Sequence, residues 1–273
     1  MKELYFEYCM NLKFDTLVRK HSFTLKCIPS SSVRQQIENL KVRVFPNEYL
    51  SSANDSFGNR TIYGYAEGQH DHFSFSVTGN ARTGLAPTEP VAEGSPWVLY
   101  KYQTPLTIPG PCIRSFASRF SFPSGMSAYA KVLAFMKELH STFSYVPHVT
   151  NVKTSAEEAM ALGKGVCQDY AHILLSLCRI ERIPCRYVVG MLIGEGASHA
   201  WVELCEDGKW ISVDPTNNLV VDELHIKISS GRDSADCIVN QGVFTGFANQ
   251  TQTISVHVEE CSRTTAEMQS CAK

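Results

Sequence analysis

The hydrophobic period of this chain changes once, across a stretch in which long regular elements cannot form. Between residues 87 and 111 stand six prolines (Pro87, Pro90, Pro96, Pro105, Pro109 and Pro111), each lacking a backbone donor and fixing φ. Upstream, apolar and polar residues alternate over residues 21–28, 41–45, 61–66 and 72–78. A period of two means half-buried strands, and short strands at regular spacing predict a β-sandwich-like unit. One helical insertion is expected over residues 32–40, where Val33, Ile37 and Leu40 stand at spacings of four and three.

Downstream the period is that of a helix. Tyr129, Val132, Leu133, Met136, Leu139 and Phe143 share one helical face and predict a helix over 127–141. A second is expected over 155–162, with Thr154 and Glu157 placed for a capping box and Gly163 as its stop; Glu158 joins the solvated face. A third begins near Cys167 and buries Tyr170, Ala171, Leu174, Leu177 and Cys178, with Pro184 beyond its end. Strands are expected over 186–193, 199–205, 210–214 and 253–258. The expectation is an α+β chain in two parts: a β-rich N-terminal domain with its proline-rich linker over 1–112, and a domain of helices packed on an antiparallel sheet over 113–273. The linker should lie against the second part, because Trp97, Leu99, Tyr100 and Tyr102 are too apolar to leave in water.

Charge and cysteine usage exclude several function classes. Lys and Arg total 25 against 27 for Asp and Glu, so there is no basic excess to hold a phosphate backbone, and nucleic acid is not expected as a partner. No stretch reaches the roughly 20 apolar residues that cross a bilayer. The segment 1–20 carries seven charges, from Lys2 to Lys20, where a signal peptide needs an apolar run. A cytoplasmic location is therefore expected, with the ten cysteines as reduced thiols and the sequons at Asn54, Asn59 and Asn249 idle. The oligomeric state is left open.

Cys167 follows two glycines in GKGVCQDY and opens the third helix, where backbone N–H groups and the helix dipole stabilise a thiolate. Most cysteines are small buried hydrophobes, and Cys178 and Cys185 fit that reading. A nucleophile needs a base and a group to orient it. The hairpin HAWVEL–WISVDP offers both. If Cys205 pairs with Trp210, paired positions sum to 415 (205 + 210), and His199 lies diagonal to Asp214 on one face with Trp201 and Ser212. Ala200, Val202, Leu204, Ile211 and Val213 then face the core. Singly, His199 could be a satisfied core histidine and Asp214 a turn residue; their joint placement after a helix-start cysteine is harder to obtain by chance. Cys167 and His172, five apart, face different ways on a helix, so no metal site is expected and His172 is read as a surface or hydrogen-bonded residue.

The segments GVCQDYAHILLSLCRIERIPCRYVVG, SHAWVEL and WISVDPTN resemble the transglutaminase-like core, a papain-type fold whose Cys, His and Asp come in that chain order. The likeness includes Arg179, Ile183, Pro184, Arg186, Gly190, Trp201 and Trp210, and FSYVPHVTNVKTSAEEAM resembles the approach to the nucleophile. Pro29, the KVRVFP strand and the DSFGN turn are similar to the β-rich domain of bacterial members, and HIKISSGRD with Gly242 and Gly246 to the tail of that subgroup. Together these cover nearly the whole chain. No residue matches the tryptophan that serves as an oxyanion donor in animal transglutaminases.

The resulting expectation is a cysteine peptidase or amidase acting on a peptide or protein substrate, with Cys167 as nucleophile, His199 as base and acid, and Asp214 as orienting carboxylate. The Cys167 N–H and, more weakly, Tyr145 would hold the oxyanion. No cofactor is expected. The alternatives are a protein-glutamine γ-glutamyltransferase, in which an amine replaces water, and a binding module that keeps the fold without turnover.

Overall fold

The computed structural model describes residues 1–95 and 97–261; Pro96 and one of the ten cysteines, Cys271, lie outside the described residues. The chain opens with a 24-residue strand, β1 (Lys2–Leu25), followed by β2 (Gln35–Phe45), β3 (Tyr49–Asn54), β4 (Arg60–Ala66) and β5 (His70–Thr83). Leu4, Phe6, Tyr8, Met10, Leu12 and Phe14 alternate inward along β1, each at most 5% exposed. The helices are α1 (Pro111–Ala117), α2 (Ala128–Thr142), α3 (Ala156–Leu162) and α4 (Cys167–Ile180). They are followed by β6 (Cys185–Leu192), β7 (Gly194–Gly196), β8 (His199–Glu206), β9 (Lys209–Asp214), β10 (His225–Gly231), β11 (Asn240–Thr245) and β12 (Gln250–Glu260). No helix among the described residues is long and apolar enough to cross a membrane.

β1 serves two layers. Its first half runs between β12 and β5, with β2 beyond β5; its second half pairs with β11 and β4, with β3 outside. One apolar core, from Leu4 through Phe23 and Phe73 to Val258, lies among these strands. The helix expected over 32–40 is strand β2. Its inward residues are Gln35 and Ile37, then Leu40, Val42 and Val44; the register shifts between Glu38 and Lys41, where Asn39 takes φ 52°. This bulge puts Ile37 and Leu40 on one side three residues apart, which imitates a helical spacing. Val33 is exposed.

The second sheet is antiparallel, in the order β9–β8–β6–β10, with α4 against β8 and β6. Its helix-facing side buries Ala200, Val202, Leu204 and Val213 against Leu174, Leu177 and their neighbours. Ser127 caps α2, and the capping box of α3 is Ser155 with Glu158, not Thr154 with Glu157 as expected. Glu157 instead accepts the N–H groups of Gly110 (2.9 Å), Cys112 (2.7 Å) and Ile113 (3.1 Å), closing the free donors of the α1 N-terminus.

Among the described residues before α1, the proline-rich stretch forms a two-residue ladder, Glu89–Pro90 on β9, and one 3₁₀ turn, Trp97–Lys101. Tyr100 is buried edge-on against Trp210 at 5.4 Å, whereas Leu99 and Tyr102 stay 54% and 56% exposed, contrary to the expectation that all four apolar residues are covered. Arg179 holds the stretch, donating to Tyr100 O (3.3 Å) and Thr107 Oγ1 (2.8 Å).

A division at residue 112 does not separate the two sheets. β11 and β12 belong to the β1 layers, β7 pairs with β12, and Met191, Ile226 and Ile228 of the second sheet sit in the N-terminal core. Two amide side chains from the N-terminal part extend the second sheet. Gln35 exchanges two 2.8 Å bonds with the Lys227 backbone, and Asn59 two with that of Ser230, each mimicking a strand neighbour on the free edge of β10. Asn59 is buried, so its sequon cannot carry a glycan.

Candidate active site

Cys167 is the first residue of α4, reached through Gly165. A Cβ at Gly165 would lie 2.4 Å from Asp169 Oδ2, and that oxygen accepts the Val166 N–H and the Thr150 hydroxyl, each at 2.7 Å. The loop before the nucleophile is thus tied to the first turn of its own helix. Burial pushes the Asp169 carboxyl up, against these two bonds.

His199 opens β8 and Asp214 closes β9. The hairpin has the register expected from the sequence, Cys205 opposite Trp210 and Val202 opposite Val213. His199 Nε2 lies 2.8 Å from Asp214 Oδ2, and Cys167 is near enough to the ring to help raise its pKa. Nε2 is engaged by the carboxylate, which leaves Nδ1 for the sulfur. Burial opposes charge on this ring, but Asp214 and Cys167 outweigh it and raise its pKa to about 9. Asp214 is fully buried. Its Oδ1 accepts the N–H of Thr216 (2.9 Å) and Asn217 (3.2 Å), and Oδ2 accepts the Asn217 amide (2.7 Å). Burial would raise its pKa, yet His199 and His225 hold it well below the usual carboxylate range.

Three further groups complete this face of the sheet. His225 Nε2 stands 3.4 Å from Asp214 Oδ2 and its Nδ1 3.0 Å from Asp222 Oδ1, so a second histidine backs the same carboxylate. Trp201 packs against both imidazoles, 6.2 Å from His199 and 5.4 Å from His225, which are 6.0 Å from each other. Gly190, opposite His199, gives the indole room, since a Cβ there would come within 2.2 Å of Trp201 Cη2. One strand pair further along, Glu203 is buried and bonded to Arg186 Nε (2.6 Å), Lys227 Nζ (2.8 Å) and Ser212 Oγ (3.0 Å).

His199, Asp214 and His225 also form a group of metal-ligating types, with donor atoms within 4.8 Å. Both rings address one oxygen, and the 2.8 Å contact is that of an N–H donor on a carboxylate; paired hydrogen bonds account for the cluster.

Tyr145 lies in a two-residue parallel ladder with Lys164 and Gly165, half exposed beside the approach to the nucleophile. Partial burial, and then the nearness of Cys167, raise its pKa. Cys178 and Cys185 are fully buried and face away from the site. His172, read as a surface or hydrogen-bonded residue, is completely buried; Nε2 accepts the Ser234 N–H at 3.3 Å, and burial lowers its pKa to about 4, keeping it neutral. Each described cysteine is a free thiol. Sequence reasoning missed Asp169, His225, Asp222 and Glu203. Asp169 carried a signal, an acid two residues into a helix where it can reach back to free N–H groups.

Residues 116–215 match the family model described as transglutaminase-like superfamily, and residues 6–82 that of the bacterial transglutaminase-like N-terminal region. A Mycobacterium leprae protein is 37% identical over 125 residues, 42% of this chain and 44% of its own length, so the match spans less than half of that relative. Proteins of Mycobacterium bovis and Mycobacterium tuberculosis are 25% identical over 265 residues, 84% of this chain and of theirs. A solved structure of a candidate cysteine protease from Cytophaga hutchinsonii superposes with a TM-score of 0.78 at 23% identity, over 96% of this chain and 92% of that one. At that identity the likeness is one of fold.

Proposed function

Because the chain belongs to the transglutaminase-like superfamily, with that family's bacterial N-terminal region, we propose that it is a cysteine peptidase or amidase working through an acyl-thioester. The observation that carries this reading is the His199–Asp214 pair at 2.8 Å beside a cysteine at a helix start, with Cys167 near enough to His199 to raise its pKa. Cys167 Sγ attacks the amide carbonyl as the thiolate, its proton held on His199. The tetrahedral oxyanion is met by the Cys167 N–H, with Tyr145 as second donor. His199 then gives its proton to the leaving amine, the C–N bond breaks, and the acyl group stays on sulfur. Water, deprotonated by the now neutral His199, hydrolyses the thioester and returns the proton to the ring. Asp214 keeps the imidazole in the tautomer that faces sulfur and supports its charge.

The substrate is proposed to be a peptide or protein amide, in the cytoplasm, with no cofactor. If an amine enters in place of water, the same intermediate gives a γ-glutamyltransferase; if Cys167 forms no thioester at all, the chain is a binding module. Glutamine-containing peptides incubated with and without a primary amine, read by mass spectrometry, separate cleavage, deamidation and amine incorporation. Hydrolysed products that vanish in Cys167→Ala are expected. Iodoacetamide labelling of all accessible thiols at one rate, with no turnover of any peptide, would leave only the binding module.

A further inference from the structure

A cavity of about 630 Å³ opens between the N-terminal sheet and the helix-start loop, within the roughly 300–1,000 Å³ of sites that take a small molecule or a short peptide segment. Its lining includes Tyr187, and Gln168 and Ser198, the chain neighbours of Cys167 and His199. The remaining wall comes from elsewhere. Tyr8 and Met10 of β1, Ile254 of β12 and Val239 before β11 contribute to it. Its lining is mainly apolar, and among the described lining residues there is no carboxylate and one cation, Lys153. At its rim Val152, Ile238 and Ile254 remain 74%, 43% and 36% exposed, large aliphatic groups left in water around one opening. Inside, Tyr8 Oη is buried beside Ser198 without completing a hydrogen bond, and Asn240 Oδ1 is likewise without a partner.

From this geometry we infer that the cavity is a substrate pocket for an uncharged, apolar segment flanking the scissile amide, gripped by β1 and β12, with Tyr8 Oη donating to a carbonyl of that segment. The inference rests on the amide-hydrolysing reading of Cys167 and adds the substrate class. An occupant of the cavity lies against Gln168 and Ser198, the residues that adjoin Cys167 and His199 in the chain, so the pocket would select which amide is presented. Aliphatic walls favour a hydrophobic side chain. With no carboxylate to receive it and Lys153 to repel it, a cationic amine is excluded, and an acidic segment would leave its charge buried against aliphatic groups.

The test needs no turnover. Full-length Cys167→Ala protein is titrated, by NMR chemical shift, with three capped dipeptide amides: acetyl-Leu-Phe-amide, acetyl-Asp-Glu-amide and acetyl-Lys-Lys-amide. The apolar peptide is expected to bind about tenfold or more tighter than either charged one, a difference equivalent to about 1.4 kcal/mol. That preference should disappear on adding Ile254→Asp, a rim position that tolerates a charge, and weaken with Tyr8→Phe. Equal binding of the three peptides, tightest binding of the lysine peptide, or a preference untouched by Ile254→Asp would overturn the pocket assignment. An inert wild-type Cys167 with a normal apolar preference would instead count against the enzyme and leave the pocket standing.

Discussion

Replacing Asp214 by Asn isolates what the buried carboxylate does for His199. The substitution keeps shape and an acceptor for the N–H groups of Thr216 and Asn217 but removes the charge that His199 and His225 share. His199 is raised from 6.5 to about 9 although burial opposes it; at roughly 1.4 kcal/mol per unit, the charged ring is favoured by about 3 kcal/mol. Without the carboxylate burial becomes the leading influence, so the midpoint should fall to 6.5 or lower. At pH 7.5 the charged fraction then drops from about 97% to about 10% or less. The raised group stabilises the fold fully below its unfolded value of 6.5, and that contribution is lost as pH rises through about 9. The wild type should therefore lose stability between pH 6.5 and 9, a slope absent from Asp214→Asn. The assay is NMR titration of the His199 ring protons, with thermal denaturation across the same window. Turnover of any peptide found by the mass-spectrometric screen should fall on the order of a hundredfold to ten-thousandfold. A wild-type midpoint near 6.5, or one that moves by less than half a unit in the variant, would refute the reasoning.

Two further changes test the frame around the site. Glu203→Gln leaves Arg186 and Lys227 facing a neutral group inside the sheet, so it should cost about 3–5 kcal/mol in denaturant unfolding at pH 7. Burial raises the Glu203 carboxyl, but the two cations depress it strongly, so the wild-type advantage should be present above pH 4.5 and shrink as pH falls. A fragment starting at Ile113 should fail to fold cooperatively by circular dichroism, because Met191, Ile226, Ile228, Val256 and Val258 lose the core that β1 and β5 provide; a sharp melt would restore the independent catalytic domain.

What could be read from the sequence was whatever depends on local period. α2, α4 and the β8–β9 hairpin declare themselves through spacings of 3.6 and 2, and the hairpin register followed from a single turn. The first half of β1 was missed although it is periodic: only residues 21–28 were expected as a strand, while Leu4, Phe6, Tyr8, Met10, Leu12 and Phe14 alternate without a break and the intervening charges are its outer face. β2 misled because a bulge breaks the alternation once. His225 and Asp222 were invisible for a different reason. His225 reaches Asp214 from the far side of the sheet, on a strand that follows a loop and pairs with β6 rather than with β9, and Asp222 holds its other nitrogen; no local pattern encodes a neighbour three strands away. The same holds for β11 and β12, whose partner β1 lies at the other end of the chain.

That long-range pairing explains how a cavity wall and a nucleophile from distant parts of the sequence can keep a fixed distance. β1 carries Tyr8 and Met10 and is paired on both sides over residues 4–13, by β12 and by β5, so those side chains cannot move without breaking two ladders. β12 in turn pairs with β7, which leads directly through Ser198 into His199. The chain of hydrogen bonds from Tyr8 to His199 therefore crosses two strand pairings, with Met191 and Ile226 filling the space beneath them. A site assembled this way is preorganised, in that little ordering remains to oppose substrate binding. A hinge at residue 112 is not open to such a chain, because moving the C-terminal part as a unit would break the pairings of β11 and β12 with β1.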